Sequence, residues 1–508
     1  MSTNELSREQ TYAFRKFCRR ENLFISGPGG CGKTHLIHHI TRHMDNIGLK
    51  YQVCAMTGCA AVLLGKNART LHSWAGMGLA AGPKDSVVRK IVGNKKTAGD
   101  IKKVRVLIVD EVSMMSKKLF EILDRALRTI KKTDRPFGGI QVVFTGDFFQ
   151  LPPVGNMGDE ETSMFAFEST EWINTFPEEN QILLQKIFRQ TDDEYKNILN
   201  QIRCGELDEA SIATLMKCVK RPIGDIIPTK LFALRSKTEF VNTRMYDKIE
   251  AEEEVYHIDT KTDLQTYVET GKVIEPKYVS FCATMSAKEK ADLVEKLTEG
   301  QSAELRLKRG ARVMCLHNIS IDRGICNGSQ GVVVDFVDSV NVSGKKMPVV
   351  LFSNGIRMII EPVWKQPEDY PCIGISQLPL CLAWALTIHK IQGATLAMAE
   401  MDLGDSIFEY GQTYVALSRI QSLDGLYLSA FKPMKIKANP KVKAFYKNIR
   451  SVSTTEEQEE EEEEEEEESY SGGGRQQPPA ENTFKRFELR EESYDSSGVK
   501  PDVKIVRL

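Results

Sequence analysis

The sequence contains no apolar run near the roughly 20 residues that a membrane-spanning helix requires, so no such span is expected. Its first residues, Met1-Ser2-Thr3-Asn4-Glu5-Leu6, are polar and mixed in charge and predict neither a secretory signal nor a mitochondrial transit peptide. Eleven cysteines are scattered without a CxxC pair, and the eight histidines do not join them at zinc-finger spacing. That pattern argues against a structural metal and predicts reduced thiols in an intracellular compartment. For a eukaryotic or viral chain the expected compartment is the nucleus or a viral replication site.

A length of 508 residues exceeds one ordinary core and suggests two to four domains. Hydrophobic residues form 41% of the chain and charged residues 27%, a globular profile. The net charge of −2 conceals an asymmetry. Residues 451–508 carry 18 acidic and 7 basic side chains, which leaves 61 basic and 52 acidic in 1–450. A mildly basic body suits contact with phosphate backbones. Twelve glutamates lie between 456 and 468, interrupted only by Gln458, and so self-repelling a run predicts a disordered tail over 451–508. The tail reads either as a solubilising segment or as one that binds a protein partner or competes with nucleic acid for the body.

Short apolar runs alternate with helix-compatible stretches through the first third of the chain. Strands are predicted at 23–26, 51–56, 104–109 and 140–145, with a helix at 34–44, the rhythm of a largely parallel α/β sheet. Residues 81–103, rich in Gly and Lys, predict a small surface subdomain. A second α/β unit is expected from about Gln181, with helical sequence at 191–220, a strand at 230–234 and a helix at 241–249. Residues 251–300 lack a sharp pattern. β-rich runs from 311 to 350 predict an insertion within about 251–376, the chain returning to the sheet near Gln377.

Gly27-Pro28-Gly29-Gly30-Cys31-Gly32-Lys33-Thr34 fits the phosphate-loop pattern between a strand and a helix. Its glycines let backbone N–H groups turn inward on phosphate oxygens at a helix N-terminus. Lys33 is expected on the terminal phosphates and Thr34 on Mg²⁺. The apolar run ending in Asp110-Glu111 offers one carboxylate to hydrated Mg²⁺ and the other to an attacking water, the parts of phosphoryl transfer. Gln150, in Thr145-Gly146-Asp147-Phe148-Phe149-Gln150-Leu151-Pro152-Pro153, is placed to sense the γ-phosphate. Arg189 and Arg419 are candidates to complete a charge clamp, although a lone arginine on a helix is more often a surface residue.

Other motifs are Thr57-Gly58-Cys59-Ala60-Ala61, Thr70-Leu71-His72-Ser73-Trp74-Ala75-Gly76, Asp110-Glu111-Val112-Ser113-Met114 and Phe188-Arg189-Gln190. The late ones are Leu378-Pro379-Leu380-Cys381-Leu382-Ala383-Trp384-Ala385, Thr387-Ile388-His389-Lys390-Ile391-Gln392-Gly393-Ala394-Thr395-Leu396 and Tyr414-Val415-Ala416-Leu417-Ser418-Arg419. Together they resemble the superfamily 1B DNA helicases of the PIF type, relatives of RecD, from Gln10 to about Leu428. The resemblance implies an α/β fold of two RecA-like P-loop NTPase domains, 1–180 and 181–450. A wedge-like insertion at 81–103 and a small SH3-like β insertion accompany them.

It further implies an ATP- and Mg²⁺-dependent helicase moving 5′→3′ on single-stranded DNA in replication, repair or recombination. Forked or 5′-tailed duplexes, G-quadruplexes and RNA–DNA hybrids are the implied substrates. Lys33, Asp110, Glu111, Gln150, Arg189 and Arg419 would be catalytic, with Thr34 and Asp110 on the metal. Gly27, Gly29, Gly30, Gly32, Lys33 and Thr34 would hold the nucleotide, with Gln10 at the adenine edge and Gly393 contributed by the second domain. Thr57, His72, Ser73, Thr387, His389 and Lys390 would line the DNA track, gripping sugar and phosphate without selecting bases. Cys31 departs from the Thr or Ser common at its position.

Alternative readings stand beside these. His72 and His389 could satisfy buried backbone groups, and Trp74 and Trp384 could be core anchors, a reading that Ala383 and Ala385 favour for Trp384. The basic residues at 84, 89, 90, 95, 96, 102 and 103 fit a strand-separating wedge or a solvated patch. Ile325-Cys326-Asn327-Gly328 reads as a tight turn between strands. No nuclease motif accompanies the set, and the compact body with its acidic tail is compatible with a large DNA virus. An ATPase that remodels protein–DNA complexes, or a non-enzymatic nucleic-acid scaffold, are the competing functions.

Overall fold

The computed structural model describes residues 6–449 apart from 66–67, 79, 225–227, 269–270, 299–302, 318, 321–322, 326–327, 340–344, 367–369 and 394. The acidic tail, and Asn327 of the expected turn, therefore lie outside the described residues. Gly328, the other half of that turn, has a φ of +90°.

Six parallel strands form the first sheet: β1 (Leu23–Ser26), β2 (Tyr51–Ala55), β3 (Ala68–Thr70), β4 (Val106–Asp110), β5 (Gln141–Gly146) and β6 (Gln181–Leu183). Their order is β3-β2-β4-β5-β1-β6. β1, β4 and β5 are buried at every position, as unbroken apolar runs require when helices cover both faces. Side chains alternate between the faces. Leu23, Ile25, Val106, Ile108 and Val143 cluster with Leu36, Ile37 and Ile40 of the helix Lys33–Asn46. Phe24, Leu107, Val109, Val142 and Phe144 cluster instead with Phe120, Leu123 and Leu127 of the helix Lys117–Lys131. The strands' carboxyl ends, where parallel sheets present ligand sites, carry the phosphate loop, Asp110 and Gly146.

A second parallel sheet has the order Ala385–Thr387, β7 (Thr229–Phe232), Ala399–Leu403, Leu426–Phe431. Tyr195, Ile198, Leu199 and Ile202 of the helix Asp193–Cys204 share its core with Val415, Ala416 and Leu417 of the helix Gln412–Leu417. Between β7 and Ala385 the chain builds antiparallel layers. Five strands run in the order Arg357–Ile359, Lys346–Phe352, Gln330–Asp338, Arg312–Cys315, Leu380–Leu382. Trp384 is buried against this layer and Trp74 in the core of the first lobe, so both tryptophans are core anchors.

Three expectations need correction. The boundary at 180–181 falls inside the first sheet, because β6 pairs in parallel with β1. The helix Pro440–Lys447, assigned to the second unit, sets Val442 into the first lobe's core, where Phe445 and Tyr446 join it. Gly374–Gln377 still pairs within the insertion, with Val363–Lys365 and Asp259–Lys261, so the chain regains the parallel sheet only at Ala385. The patternless stretch 251–300 contains the helices Pro276–Thr284 and Ala287–Thr298. Residues 81–103 form two helices, Lys84–Gly93 and Lys95–Lys103, anchored in the first core by Val87, Ile91 and Ile101. Of their basic residues, Lys84 pairs with Glu121 and Glu161, and Lys96 lies 5.0 Å from the Tyr278 ring centre. Arg89, Lys90, Lys95, Lys102 and Lys103 are exposed.

Candidate nucleotide site and nucleic-acid track

The phosphate loop leaves β1 and closes onto the helix Lys33–Asn46, whose N-cap, Gly32, makes no side-chain bond and leaves the helix's amino end to an anion. Gly30 and Gly32 have φ of +88° and +86°, and their surroundings are as demanding. A Cβ on Gly30 would lie 2.5 Å from Arg189 Cβ, and one on Gly32 2.5 Å from Gln10 Nε2. Only glycine meets both conditions without displacement. Lys33 Nζ donates to the carbonyls of Gly27 at 2.7 Å and Pro28 at 3.1 Å, which holds the ammonium within the loop. Thr34 follows in the first helical turn and is half-buried. Cys31 is buried, with its Sγ accepting from Lys33 Nζ at 3.6 Å.

Gln10 is buried against this loop, but its amide is engaged. Ser7 N donates to Gln10 Oε1 at 2.9 Å in a capping box, and Gln10 Nε2 donates to Gly32 O at 3.2 Å. It ties the first helix, Arg8–Cys18, to the loop. Phe188 presents a half-exposed ring beside Gly32, and its N–H donates to Gly30 O at 2.9 Å.

β4 delivers Asp110, which accepts hydrogen bonds from Thr145 Oγ1 and, at 2.8 Å, from Glu111 N. Glu111 has a φ of +58°, left-handed backbone that is strained for a non-glycine residue and ends the strand abruptly. Burial raises the Asp110 carboxyl above its ordinary range, opposed by its hydrogen bonds and by Lys33. Burial also raises Glu111, and the Asp110 charge pushes it further, while Lys33, Arg419 and Gln392 act in the opposite sense. Gln150 is buried in the turn after β5; its N–H donates to Asp147 O at 2.8 Å, and its amide oxygen has no hydrogen-bond partner among the described residues.

Residues beyond 184 approach this wall from the second lobe. Arg189 stands against Gly30 and donates to Ser418 O at 3.1 Å. Arg419, 2% exposed, donates to Val415 O at 2.9 Å and to Ser418 Oγ at 2.8 Å; its Nη2 would lie 3.6 Å from a Cβ on Gly29. Burial lowers both guanidinium groups; Arg189 lowers Arg419 further by repulsion, and Glu111 counteracts both shifts. The sequence-chosen Lys33, Asp110, Glu111, Arg189 and Arg419 are thus brought together.

Three contacts were not anticipated. Gln392 Nε2 donates to Glu111 Oε2 at 3.0 Å, Tyr414 Oη accepts from Gly29 N at 2.8 Å, and Gln190 Nε2 donates to Ser418 O at 3.3 Å and Ile420 O at 3.2 Å. All three residues lie within motifs quoted above; for Gln392, between Ile391 and Gly393, an interior amide beside an apolar residue was the available signal. Gly393, chosen instead of Gln392, sits where a Cβ would meet Leu63 Cδ1 at 3.0 Å.

The proposed DNA-track residues occupy corresponding ends of the two sheets. Thr57 Oγ1 accepts from Ala60 N at 3.2 Å and caps the turn after β2; His72 and Ser73 follow β3, the neighbouring edge strand. His72 lines a recess of about 210 Å³ with Met56, Pro153 and Asn156, and burial holds its imidazole below the ordinary pKa. In the second lobe Thr387 ends the edge strand, and its hydroxyl accepts from Lys390 N at 3.4 Å. Thr387, His389 and Lys390 line a cleft of about 1140 Å³ together with Arg235, Arg306 and Lys308.

Comparison with known proteins bears directly on this arrangement. The PIF1-like helicase family profile matches residues 5–211, and the profile of the DNA helicase Pif1 2B domain matches residues 300–336. The ATP-dependent DNA helicase PIF1 of Candida albicans is 32% identical over 88% of this chain, which spans 56% of that protein's length. The crystal structure of Pif1 helicase from Candida albicans shares 34% identity and a TM-score of 0.68, over 88% of this chain and 99% of that one. A Bacteroides Pif1 helicase in complex with ADP-AlF3 and ssDNA shares 25% identity at a TM-score of 0.59, over 87% and 96% of the two chains.

Proposed function

The chain belongs to the PIF1-like helicase family, and on that premise we propose that it is an ATP-dependent DNA helicase that moves 5′→3′ on single-stranded DNA and separates duplexes. The observation that carries this reading is the meeting of two lobes on one half-buried carboxylate. Glu111 receives Gln392 at 3.0 Å from the second lobe, while Arg189 and Arg419 stand over Gly30 and Gly29. A static nucleotide-binding protein has no need of a second lobe that contacts the catalytic carboxylate; a motor that cycles on hydrolysis does.

In this mechanism the γ-phosphate lies between Lys33, Arg189 and Arg419, whose charges offset what develops on its oxygens as water attacks. Glu111 takes the water's proton, Gln150 orients that water with its free amide oxygen, and the β–γ bridging bond breaks to release ADP. Thr34 and Asp110 supply hard oxygen donors that suit Mg²⁺, which when bound neutralises phosphate charge.

The proposed division of labour follows the packing. A first motor lobe comprises about 6–184 together with 440–449, and a second comprises about 185–439 with its β insertion inside it. Thr57, His72 and Ser73 on one lobe and Thr387, His389 and Lys390 on the other grip the DNA strand in turn. The substrates proposed are single-stranded and 5′-tailed or forked DNA. A tailed-duplex assay tests the whole reading: ATP-dependent separation of a 5′-tailed but not a 3′-tailed duplex is expected, and Lys33→Ala should abolish it. DNA-stimulated hydrolysis without strand separation would point instead to remodelling of protein–DNA complexes.

A further inference from the structure

The helix Pro440–Lys447 ends in a side chain that touches the catalytic wall at three points. Tyr446 Oη shares a hydrogen bond with Ser26 Oγ, the last residue of β1 before the phosphate loop. The same oxygen accepts from Phe148 N at 3.0 Å and lies 3.4 Å from Asp147 Oδ1, both in the turn that leads to Gln150. Its ring stacks on Phe149, with centroids 4.8 Å apart and planes 17° from parallel. Burial and the nearby Asp147 raise its hydroxyl well above the ordinary phenol range, so it stays protonated.

The second lobe reaches this spot through Arg203, the penultimate residue of the helix Asp193–Cys204. Its Nε and Nη2 donate to the two oxygens of Asp147 at 2.9 Å each, and its guanidinium lies 4.5 Å from the Phe149 ring centre and 5.0 Å from that of Tyr446. Asp147 accepts a further bond from Phe149 N at 3.2 Å. The turn 147–150 is thus held from the first lobe by Tyr446 and from the second by Arg203. The helix bearing Arg203 is also fixed near the arginine clamp, because Tyr195 Oη donates to Leu417 O at 2.8 Å, two residues before Arg419.

We infer that Tyr446 is a positioning residue for ATP hydrolysis: with Arg203 it forms a latch that holds the turn carrying Gln150 in register with the phosphate loop. This rests on the hydrolysis reading above. The hydroxyl joins the ends of β1 and β5, the two strands from which Lys33 and Gln150 are launched. Without it the turn keeps its apolar packing but loses its tie to Ser26. A small misplacement of a water-orienting group lowers turnover without weakening ground-state binding.

The test is Tyr446→Phe in the full chain, measured for ATP hydrolysis with saturating single-stranded oligonucleotide, alongside the parent and Lys33→Ala. The expected result is a kcat about tenfold lower with KM for ATP and binding of a fluorescent ADP analogue unchanged, and with a cooperative melt only a few degrees below the parent's. Tyr446→Leu, which also removes the stacked ring, should lower kcat further. Unaltered kcat in Tyr446→Phe, or a loss confined to KM, overturns the latch while leaving the helicase reading intact. A parent chain that does not hydrolyse ATP overturns both.

Discussion

Arg203→Ala offers a quantitative test of how the two lobes are joined. The Asp147 side chain is fully buried and that of Arg203 is 11% exposed. The pair is bidentate, at 2.9 Å on both arms. Truncating the arginine leaves an uncompensated carboxylate in the interior, a loss of about 3–5 kcal/mol. Removing the guanidinium from the faces of Phe149 and Tyr446 adds about 1 kcal/mol. Because Asp147 belongs to the first lobe and the helix Asp193–Cys204 to the second, the loss should fall on their docking rather than on either core. Urea denaturation followed by tryptophan fluorescence should therefore show an early transition, and amides of the turn 147–150 should exchange faster. Asp147→Asn combined with Arg203→Leu should recover at least about 2 kcal/mol, since the buried charge is then gone. A single Arg203→Ala variant that loses under about 1 kcal/mol, with the turn still protected, would refute the assignment of this pair as a buried junction.

Two further perturbations probe the catalytic wall. Gln392→Ala removes a donor that favours ionised Glu111, so the Glu111 pKa should rise and the acid limb of the pH–rate profile should move to higher pH; a shift to lower pH would contradict the contact. Gly30→Ala places a methyl 2.5 Å from Arg189 Cβ at a φ of +88°, with about 1–2 kcal/mol of backbone strain. Hydrolysis should fall by more than tenfold through displacement of Arg189, as read from kcat with bound nucleotide monitored separately.

The chemistry of this protein is more legible in its sequence than its architecture. A phosphate cradle demands glycines at fixed offsets, and a buried parallel strand demands an unbroken apolar run, so 27–34 and Asp110-Glu111 declare themselves locally. Trp384 was likewise readable as core from its alanine neighbours. The lobe boundary was not. β6 is only three residues long, Gln181–Leu183, and nothing within it specifies that its partner is β1, more than 150 residues earlier. Propensity describes a segment, whereas sheet membership describes a pairing.

The helix Pro440–Lys447 carries this distinction into function. Val442, Phe445 and Tyr446 stand at i, i+3 and i+4, a pattern that predicts an apolar helical face but not what it covers. Phe445 stacks on Phe167 at 4.3 Å and meets Phe24, Phe148 and Trp172, all in the first lobe. Arg203 shows the same limit: an arginine late in a helix reads as a surface charge until its partner, Asp147, is found buried at the end of a different lobe. Groups that touch phosphate or water are constrained by the reaction and so recur in compact motifs. Groups that merely hold them need only arrive at the right point in space, from any distance along the chain. The Gln150 turn is held by both kinds, which is why its sequence marked Gln150 as a candidate sensor but gave no sign of the latch.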